Sequence, residues 1–179
     1  MTVWSTSNPS GSVTVNVLDI IPGTSVDGPG LRTAIYLAGC SHACPGCQNP
    51  GSWDPAGGRS MTVAEIVGIV SENEFPVTLT GGDPLFHPEA TGRLVEALRG
   101  AGVSSVWLYT GYTFEQILDH QRLLDAVRGV DVIVDGPFRS ELRDPSLSFR
   151  GSANQRIILL PESLAAGRPC LWQPPTVDF

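Results

Sequence analysis

The alternation of strand-like and helix-like segments constrains this fold more than any other feature of the chain. Helical patterns follow capping boxes at residues 62–65 and 113–116 and a proline at residue 88. The second capping box predicts one helix that continues to Gly129. Short apolar runs that read as strands precede or follow these helices, at residues 33–38, 76–80, 105–109, 130–134 and 155–160. Strands that alternate with helices form parallel units with the helices outside the sheet.

The length of the chain narrows the architecture further. With 179 residues it is long enough to bury a single-domain core without disulfides. A closed eight-fold barrel needs roughly 250 residues, so the chain is too short for one. We therefore predict an α/β fold, an open partial (β/α) barrel of five to six mostly parallel strands, with a flat doubly wound sheet as the alternative. Residues 13–179 are predicted as one domain after a flexible tail, 1–12, and residues 13–18 as an edge strand or hairpin arm.

Charge and composition exclude several classes of function. The formal net charge is -7, which argues against a nucleic-acid partner because phosphate binding needs basic residues. All eleven basic residues are arginines, so chemistry that uses a lysine is excluded. No apolar run approaches the roughly 18 residues of a membrane span, and no signal peptide is evident. We expect a cytoplasmic protein without a membrane partner, since unpaired cysteines suit a reducing compartment.

Three cysteines lie close together in one short segment. Cys40, Cys44 and Cys47 are separated by three and two residues. Three thiolates can hold three corners of a [4Fe–4S] cluster and leave the fourth iron open, whereas an electron-transfer cluster takes four cysteines. A zinc ion with His42 or Cys170 as the fourth ligand stays open as an alternative. Gly46, before the third cysteine, suits a backbone that wraps closely around a cluster.

Glycine and cysteine also mark the ends of the predicted strands. In parallel α/β folds these carboxyl ends share one rim, where active sites form, so the four loops should converge. Asp83 could bind an ammonium group or simply form a turn, and Asp135 could bond a ribose hydroxyl or, as we favour, hold a loop. The bare backbone of the second loop could run close against a ligand. The four loops begin at Gly39, Gly81, Tyr109 and Asp135.

Several segments resemble a known enzyme superfamily. Gly28–Arg32, the cysteine spacing, Gln48–Pro50 and Gly81–Leu85 are similar to radical SAM activating enzymes. More narrowly, residues 107–113, 134–136 and 144–155 resemble the activating proteins of anaerobic (class III) ribonucleoside-triphosphate reductases. The resemblance runs from about Gly28 to about Arg156. Pro137 departs from that branch, which often has lysine there, and Pro161–Phe179 match nothing.

The resemblance implies a fold, two cofactors and a reaction. The fold would be the partial barrel of the radical SAM type. Reductive cleavage of S-adenosylmethionine would give a 5′-deoxyadenosyl radical that abstracts hydrogen from a glycine of the large subunit of an anaerobic ribonucleotide reductase. A flavodoxin or ferredoxin-type protein would donate the electron. Cys40, Cys44 and Cys47 would ligate a [4Fe–4S] cluster, and the cofactor would be lined by Gly46, Cys47, Gln48, Gly81, Gly82 and Asp83.

Two other functions remain possible on sequence grounds. One is a different radical SAM enzyme that acts on a small molecule, such as the compact deazaguanine-forming type. Residues 144–155 disfavour it. The other is a non-catalytic module that binds zinc or an iron–sulfur cluster.

Overall fold

The computed structural model describes residues 13–174, so the predicted flexible tail, 1–12, lies outside the described residues. In this part of the chain no helix is both long and apolar enough to cross a membrane. The strands are β1 (Thr14–Thr24), β2 (Arg32–Leu37), β3 (Arg59–Thr62), β4 (Val77–Gly81), β5 (Val106–Tyr109), β6 (Val132–Asp135) and β7 (Arg156–Leu159). The helices are α1 (Val63–Ser71), α2 (Pro88–Gly100), α3 (Phe114–Asp119), α4 (Gln121–Ala126) and α5 (Leu160–Ala166).

The strands form one mixed sheet in the order β3-β1-β2-β4-β5-β6-β7. The central strands β2, β4, β5 and β6 run parallel to one another. At the edges, β1 pairs with β2 and with β3, and β7 pairs with β6, all antiparallel. The predicted α/β class is confirmed. The prediction of mostly parallel strands holds only for the centre of the sheet.

Two edge strands differ from the sequence prediction for identifiable reasons. β3 was not predicted because its sequence is polar and only Met61 is buried; its pairing with β1 defines it. β7 was predicted within the series of parallel units, and this is wrong. The segment between β6 and β7 contains no α-helix, and a parallel return needs a long crossover, usually a helix. The chain therefore comes back beside β6 in the antiparallel direction.

The helices pack on one face of the sheet. Alternate strand residues such as Ile35, Leu79 and Leu108 are fully buried there against helix residues that include Leu94 and Phe114. The opposite face carries a smaller cluster of Trp107, Val132, Val134 and Ile157, packed against Phe149 and Trp172. The alternative of a doubly wound sheet would place helices on both faces. In the described residues the second face is covered by loop side chains instead.

The predicted long helix after Thr113 is two short helices. Its capping box forms as expected, with the Thr113 hydroxyl accepting from Gln116 N–H and the Gln116 side chain accepting from Thr113 N–H. The helix ends because His120 adopts an extended conformation, φ -123° and ψ 103°, before α4 begins. This break rotates the buried face of the second helix. Leu123 is buried, whereas Leu124, which the helical pattern predicts to face inward, is only partly buried.

The segment after α5 extends the sheet edge. Cys170 C=O accepts from Leu159 N–H at 2.9 Å, and Trp172 N–H donates to Ile157 C=O at 2.8 Å. The Trp172 ring meets Trp107 edge-on, with 5.4 Å between ring centroids. Sequence reasoning left the role of residues 161–179 open, apart from Cys170 as a possible zinc ligand, yet residues 170–172 protect the edge of β7 and close the second apolar cluster.

Candidate metal centre at the carboxyl ends of the strands

The three-cysteine segment is a closed loop directly after β2. Gly39 N–H donates to Ser52 C=O at 2.8 Å, and Cys40 N–H donates to Trp53 C=O at 3.2 Å. Inside the loop, Cys47 N–H donates to Cys44 C=O at 3.1 Å. Gly46 has φ +74°, a left-handed conformation that favours glycine. The backbone therefore holds the cysteines in one compact turn at the mouth of the sheet.

The thiol groups suit an iron–sulfur cluster. Cys40, Cys44 and Cys47 are free and partly exposed. Burial raises the pKa of the Cys40 thiol, and hydrogen bonds from backbone groups of the next residues oppose that rise. Asn49 N–H points at the Cys47 sulfur from 3.4 Å. Backbone N–H groups aimed at thiolate sulfur stabilise the ionised ligand and tune cluster potential, so this donor set fits the group.

The possible metal-binding side chains of the site do not surround a single point. Within residues 13–174, no three His, Cys, Asp or Glu side chains are arranged to hold a single metal ion. Thiolates that ligate different irons of a cluster need not share such a point. Neither candidate fourth ligand for zinc lies free beside the three thiols. His42 Nε2 is 2.6 Å from an Asp83 oxygen, and Cys170 lies beside Leu159, which pairs with Val132 at the far end of β6.

The glycine turn after β4 presses against the base of the cysteine loop. Gly82 N–H donates to Leu37 C=O at 2.7 Å, and Asp83 N–H donates to Gly39 C=O at 2.8 Å. A Cβ atom on Gly82 would lie 2.4 Å from the Gly39 oxygen. Sequence reasoning expected this bare backbone to face a ligand. The structure gives it a further role, because glycine here allows β4 and the cysteine loop to touch.

Asp83 is the polar centre of the site, and its side chain is 2% exposed. The carboxylate accepts from Leu85 N–H at 2.8 Å and from Gly111 N–H at 3.0 Å. The Thr110 hydroxyl lies 3.0 Å from both of its oxygens, and His42 Nε2 lies 2.6 Å from one of them. Of the two roles considered for Asp83, the contact with Leu85 N–H is the one expected for a turn former. The participation of His42 and Thr110 was missed by sequence reasoning.

The remaining loops close around the same mouth, as predicted. Gly136 N–H donates to Tyr112 C=O at 2.9 Å. A Cβ on Gly46 would lie 3.3 Å from Ser140 Cβ, and one on Gly151 would lie 3.2 Å from the side-chain nitrogen of Gln48. The segment between β6 and β7 thus lies against the cysteine loop and forms a wall of the site.

Asp135 is also buried, but its contacts differ. It is 1% exposed and accepts from Phe114 N–H at 2.8 Å and from Arg156 Nε at 3.0 Å. Arg156 also binds Glu115 with both terminal nitrogens, and this contact lowers the pKa of Glu115 to about 2. The favoured loop-holding role of Asp135 is what the structure displays. Arg150 likewise donates to Gln155 C=O at 2.7 Å within its own loop.

Comparison with known proteins defines the class. Residues 26–158 match a family model described as a 4Fe-4S single cluster domain. The chain is also similar to proteins named anaerobic ribonucleoside-triphosphate reductase-activating protein. The one from Escherichia coli K12 is 34% identical over 151 residues, which cover 79% of this chain and 96% of the relative.

Two further relatives carry the same name. The Enterobacteria phage T4 protein is 37% identical over 145 residues, or 77% of this chain and 90% of the relative. The Vibrio cholerae protein is 33% identical over 153 residues, or 80% of this chain and 97% of the relative. The chain therefore belongs to the 4Fe-4S single cluster domain family and to the family of anaerobic ribonucleoside-triphosphate reductase-activating proteins. The resemblance stated from the sequence is confirmed.

Proposed function

We propose that this chain is a radical SAM enzyme that activates an anaerobic ribonucleotide reductase by generating a glycyl radical on its large subunit. The observation that carries the proposal is the loop of three free thiols packed against the glycine turn after β4. The names of relatives that cover most of the chain support the choice of partner.

The residues divide into ligands and lining groups. Cys40, Cys44 and Cys47 would hold a [4Fe–4S] cluster through three of its irons. When bound, the cluster would supply the electron that cleaves S-adenosylmethionine, and the resulting 5′-deoxyadenosyl radical would take hydrogen from a glycine of the reductase. S-adenosylmethionine would be lined by Gly46, Cys47, Gln48, Gly81, Gly82 and Asp83, so that Cys47 would serve both cofactors.

The chain itself contributes position rather than acid–base chemistry. The Asn49 N–H aimed at the Cys47 sulfur would stabilise a thiolate ligand there, and the buried contacts of Asp83 hold the cofactor-lining turn against the cysteine loop. Abstraction of a hydrogen atom needs no general base, so this division of labour is sufficient. A flavodoxin or ferredoxin-type donor in the cytoplasm completes the proposal.

The curvature of the sheet and the extent of the domain are part of this proposal. We infer that the sheet curves into the open partial barrel of radical SAM enzymes, with residues 13–179 as one domain. All four helices α1 to α4 contribute buried side chains to a single face, which is the arrangement of a barrel exterior. An open barrel leaves room for a loop of a protein substrate to reach the mouth.

The test begins with the metal. The chain is reconstituted anaerobically with iron and sulfide, and iron, sulfide and zinc are quantified. We expect a brown protein with about four irons per chain. Cys44→Ala should lose the cluster, while the matched control Cys170→Ala should keep it. A colourless zinc protein would instead support the binding-module alternative.

The second stage tests the reaction and the partner separately. Reductant and S-adenosylmethionine are added, and 5′-deoxyadenosine is measured with and without the candidate reductase. We expect the nucleoside from the reconstituted chain and a glycyl radical signal by electron paramagnetic resonance when the reductase is present. Nucleoside without a glycyl signal would reject the partner and return attention to a small-molecule substrate.

A further inference from the structure

One histidine connects the cysteine loop to the loops after β4 and β5. His42 lies between the first two cysteines, and its side chain is 19% exposed. Its Nε2–H donates to the Asp83 carboxylate at 2.6 Å. Its ring packs edge-on against Tyr112, with 4.7 Å between centroids. A Cβ on Gly111 would lie 2.4 Å from the ring, so the absence of a side chain there makes room for the imidazole.

The other anchors of the cysteine loop are backbone hydrogen bonds at its start and within it. The backbone of Gly39 and Cys40 is tied to residues 52 and 53, and Cys47 is tied back to Cys44. Between Cys40 and Cys44, the contact of His42 with Asp83 is the side-chain hydrogen bond that reaches another loop. Asp83 is itself fixed by two backbone N–H groups and the Thr110 hydroxyl. A histidine bonded to such a carboxylate has little freedom to move.

We propose that His42 is a positioning residue, which sets the distance between the cluster-binding cysteines and the cofactor-lining turn Gly81–Asp83. This inference rests on the proposed function. Its effect is indirect: His42 neither ligates metal nor touches the reacting atoms. It fixes the loop that carries the cluster relative to the turn that holds S-adenosylmethionine, and small errors in such a distance weaken binding and reaction together.

The experiment compares removal, replacement and displacement of the imidazole. His42→Leu removes the hydrogen bond, His42→Gln places an amide N–H near the position of Nε2, and Gly111→Ala pushes the ring aside while keeping both partners. The exposed His120 provides the matched control, His120→Gln. Each variant is reconstituted and its affinity for S-adenosylmethionine is measured by titration, beside its iron content and melting temperature.

A hydrogen bond to a charged group contributes enough that its loss should weaken affinity about tenfold or more. We expect this loss in His42→Leu and Gly111→Ala, partial recovery in His42→Gln, and none in His120→Gln, with iron content close to that of the parent. In the metal-free chain, amide hydrogen exchange at residues 41–47 should accelerate in His42→Leu and be restored in His42→Gln. This second readout does not depend on the cofactor.

Failure of this inference is distinguishable from failure of the proposed function. If the parent chain binds no S-adenosylmethionine, the proposed function fails. If the parent binds it and His42→Leu binds it equally well, His42 is not a positioning residue. A loss of iron and melting temperature in His42→Leu that fully accounts for the weaker binding, without rescue by His42→Gln, would overturn the inference as well.

Discussion

Two buried aspartates at the ends of parallel strands show how similar sequence positions acquire different chemistry. Asp83 follows β4 and Asp135 ends β6, and both lie beside a glycine. Asp83 accepts from neutral donors and from His42, all on loops that surround the cysteines. Asp135 is bound by Arg156, whose guanidinium also binds Glu115. The first arrangement joins the loops of the site, and the second joins β6, α3 and β7.

The difference lies in how each charge is compensated. Asp83 is bonded by backbone N–H groups, the Thr110 hydroxyl and the His42 imidazole, and no arginine is among its hydrogen-bond partners in residues 13–174. Asp135 is held by the full positive charge of Arg156, whose guanidinium keeps Glu115 as a second partner. We therefore expect substitutions around Asp135 to change stability and substitutions around Asp83 to change cofactor binding.

The largest expected effect on stability comes from Asp135→Ala. It leaves the backbone N–H groups of Phe114 and Arg156 without their acceptor and removes one of the two carboxylates that bind the Arg156 guanidinium, which together cost about 3 kcal/mol of unfolding free energy. Denaturant unfolding of the metal-free chain measures it. Affinity of the reconstituted variant for S-adenosylmethionine should stay close to that of the parent. Weaker cofactor binding without loss of stability would break the comparison.

Substitution of the glycine beside each aspartate, Gly82 or Gly136, should have an effect of intermediate size and sharpens the comparison. Gly82→Ala would place its Cβ 2.4 Å from the Gly39 oxygen, so the turn and cysteine loop must separate, at a cost of about 1–3 kcal/mol. Gly136→Ala meets nothing closer than 3.8 Å, and its penalty is the strain of φ +91°, about 1 kcal/mol. Only Gly82→Ala should also weaken S-adenosylmethionine binding. Equal binding losses in both variants would contradict this.

The smallest expected effect is a pH dependence from Glu115. Arg156 lowers the pKa of this carboxyl to about 2 in the folded chain, from an ordinary value of 4.5. The stabilisation is therefore present above about pH 4.5 and is lost as pH falls from there towards 2. Because the side chain is 56% exposed, we expect less than about 1 kcal/mol. Urea unfolding at several pH values in this range measures the free energy of unfolding, which should depend less on pH in Glu115→Gln than in the parent. An identical pH dependence in both would contradict the pairing.

Much of the fold and the cluster site could be predicted from local sequence patterns. Hydrophobic periodicity predicts the central strands, and local motifs predict both capping boxes. Glycines at the strand ends predict that the loops after the central strands converge. β3 could not be predicted because its pairing with β1 rather than its own residues defines it. The break at His120 and the edge segment near Trp172 also depend on tertiary contacts.

The same limit applies inside the site. Cys40, Cys44 and Cys47 can be recognised as candidate ligands from their spacing, because spacing is a local property of the sequence. His42 lies among them and could be considered only as a possible ligand, because its partner Asp83 is 41 residues away. Likewise, sequence alone offered two roles each for Asp83 and Asp135. The contacts that the structure adds come from distant donors, Thr110 for Asp83 and Arg156 for Asp135.

The central claim is that three cysteines hold a cluster whose remaining iron is open to S-adenosylmethionine. Mössbauer spectroscopy of the anaerobically reconstituted chain tests it most directly, with spectra recorded before and after the cofactor is added. The account predicts that one iron site changes its spectrum on addition while the others keep theirs. A spectrum in which no iron site responds to saturating cofactor would contradict it.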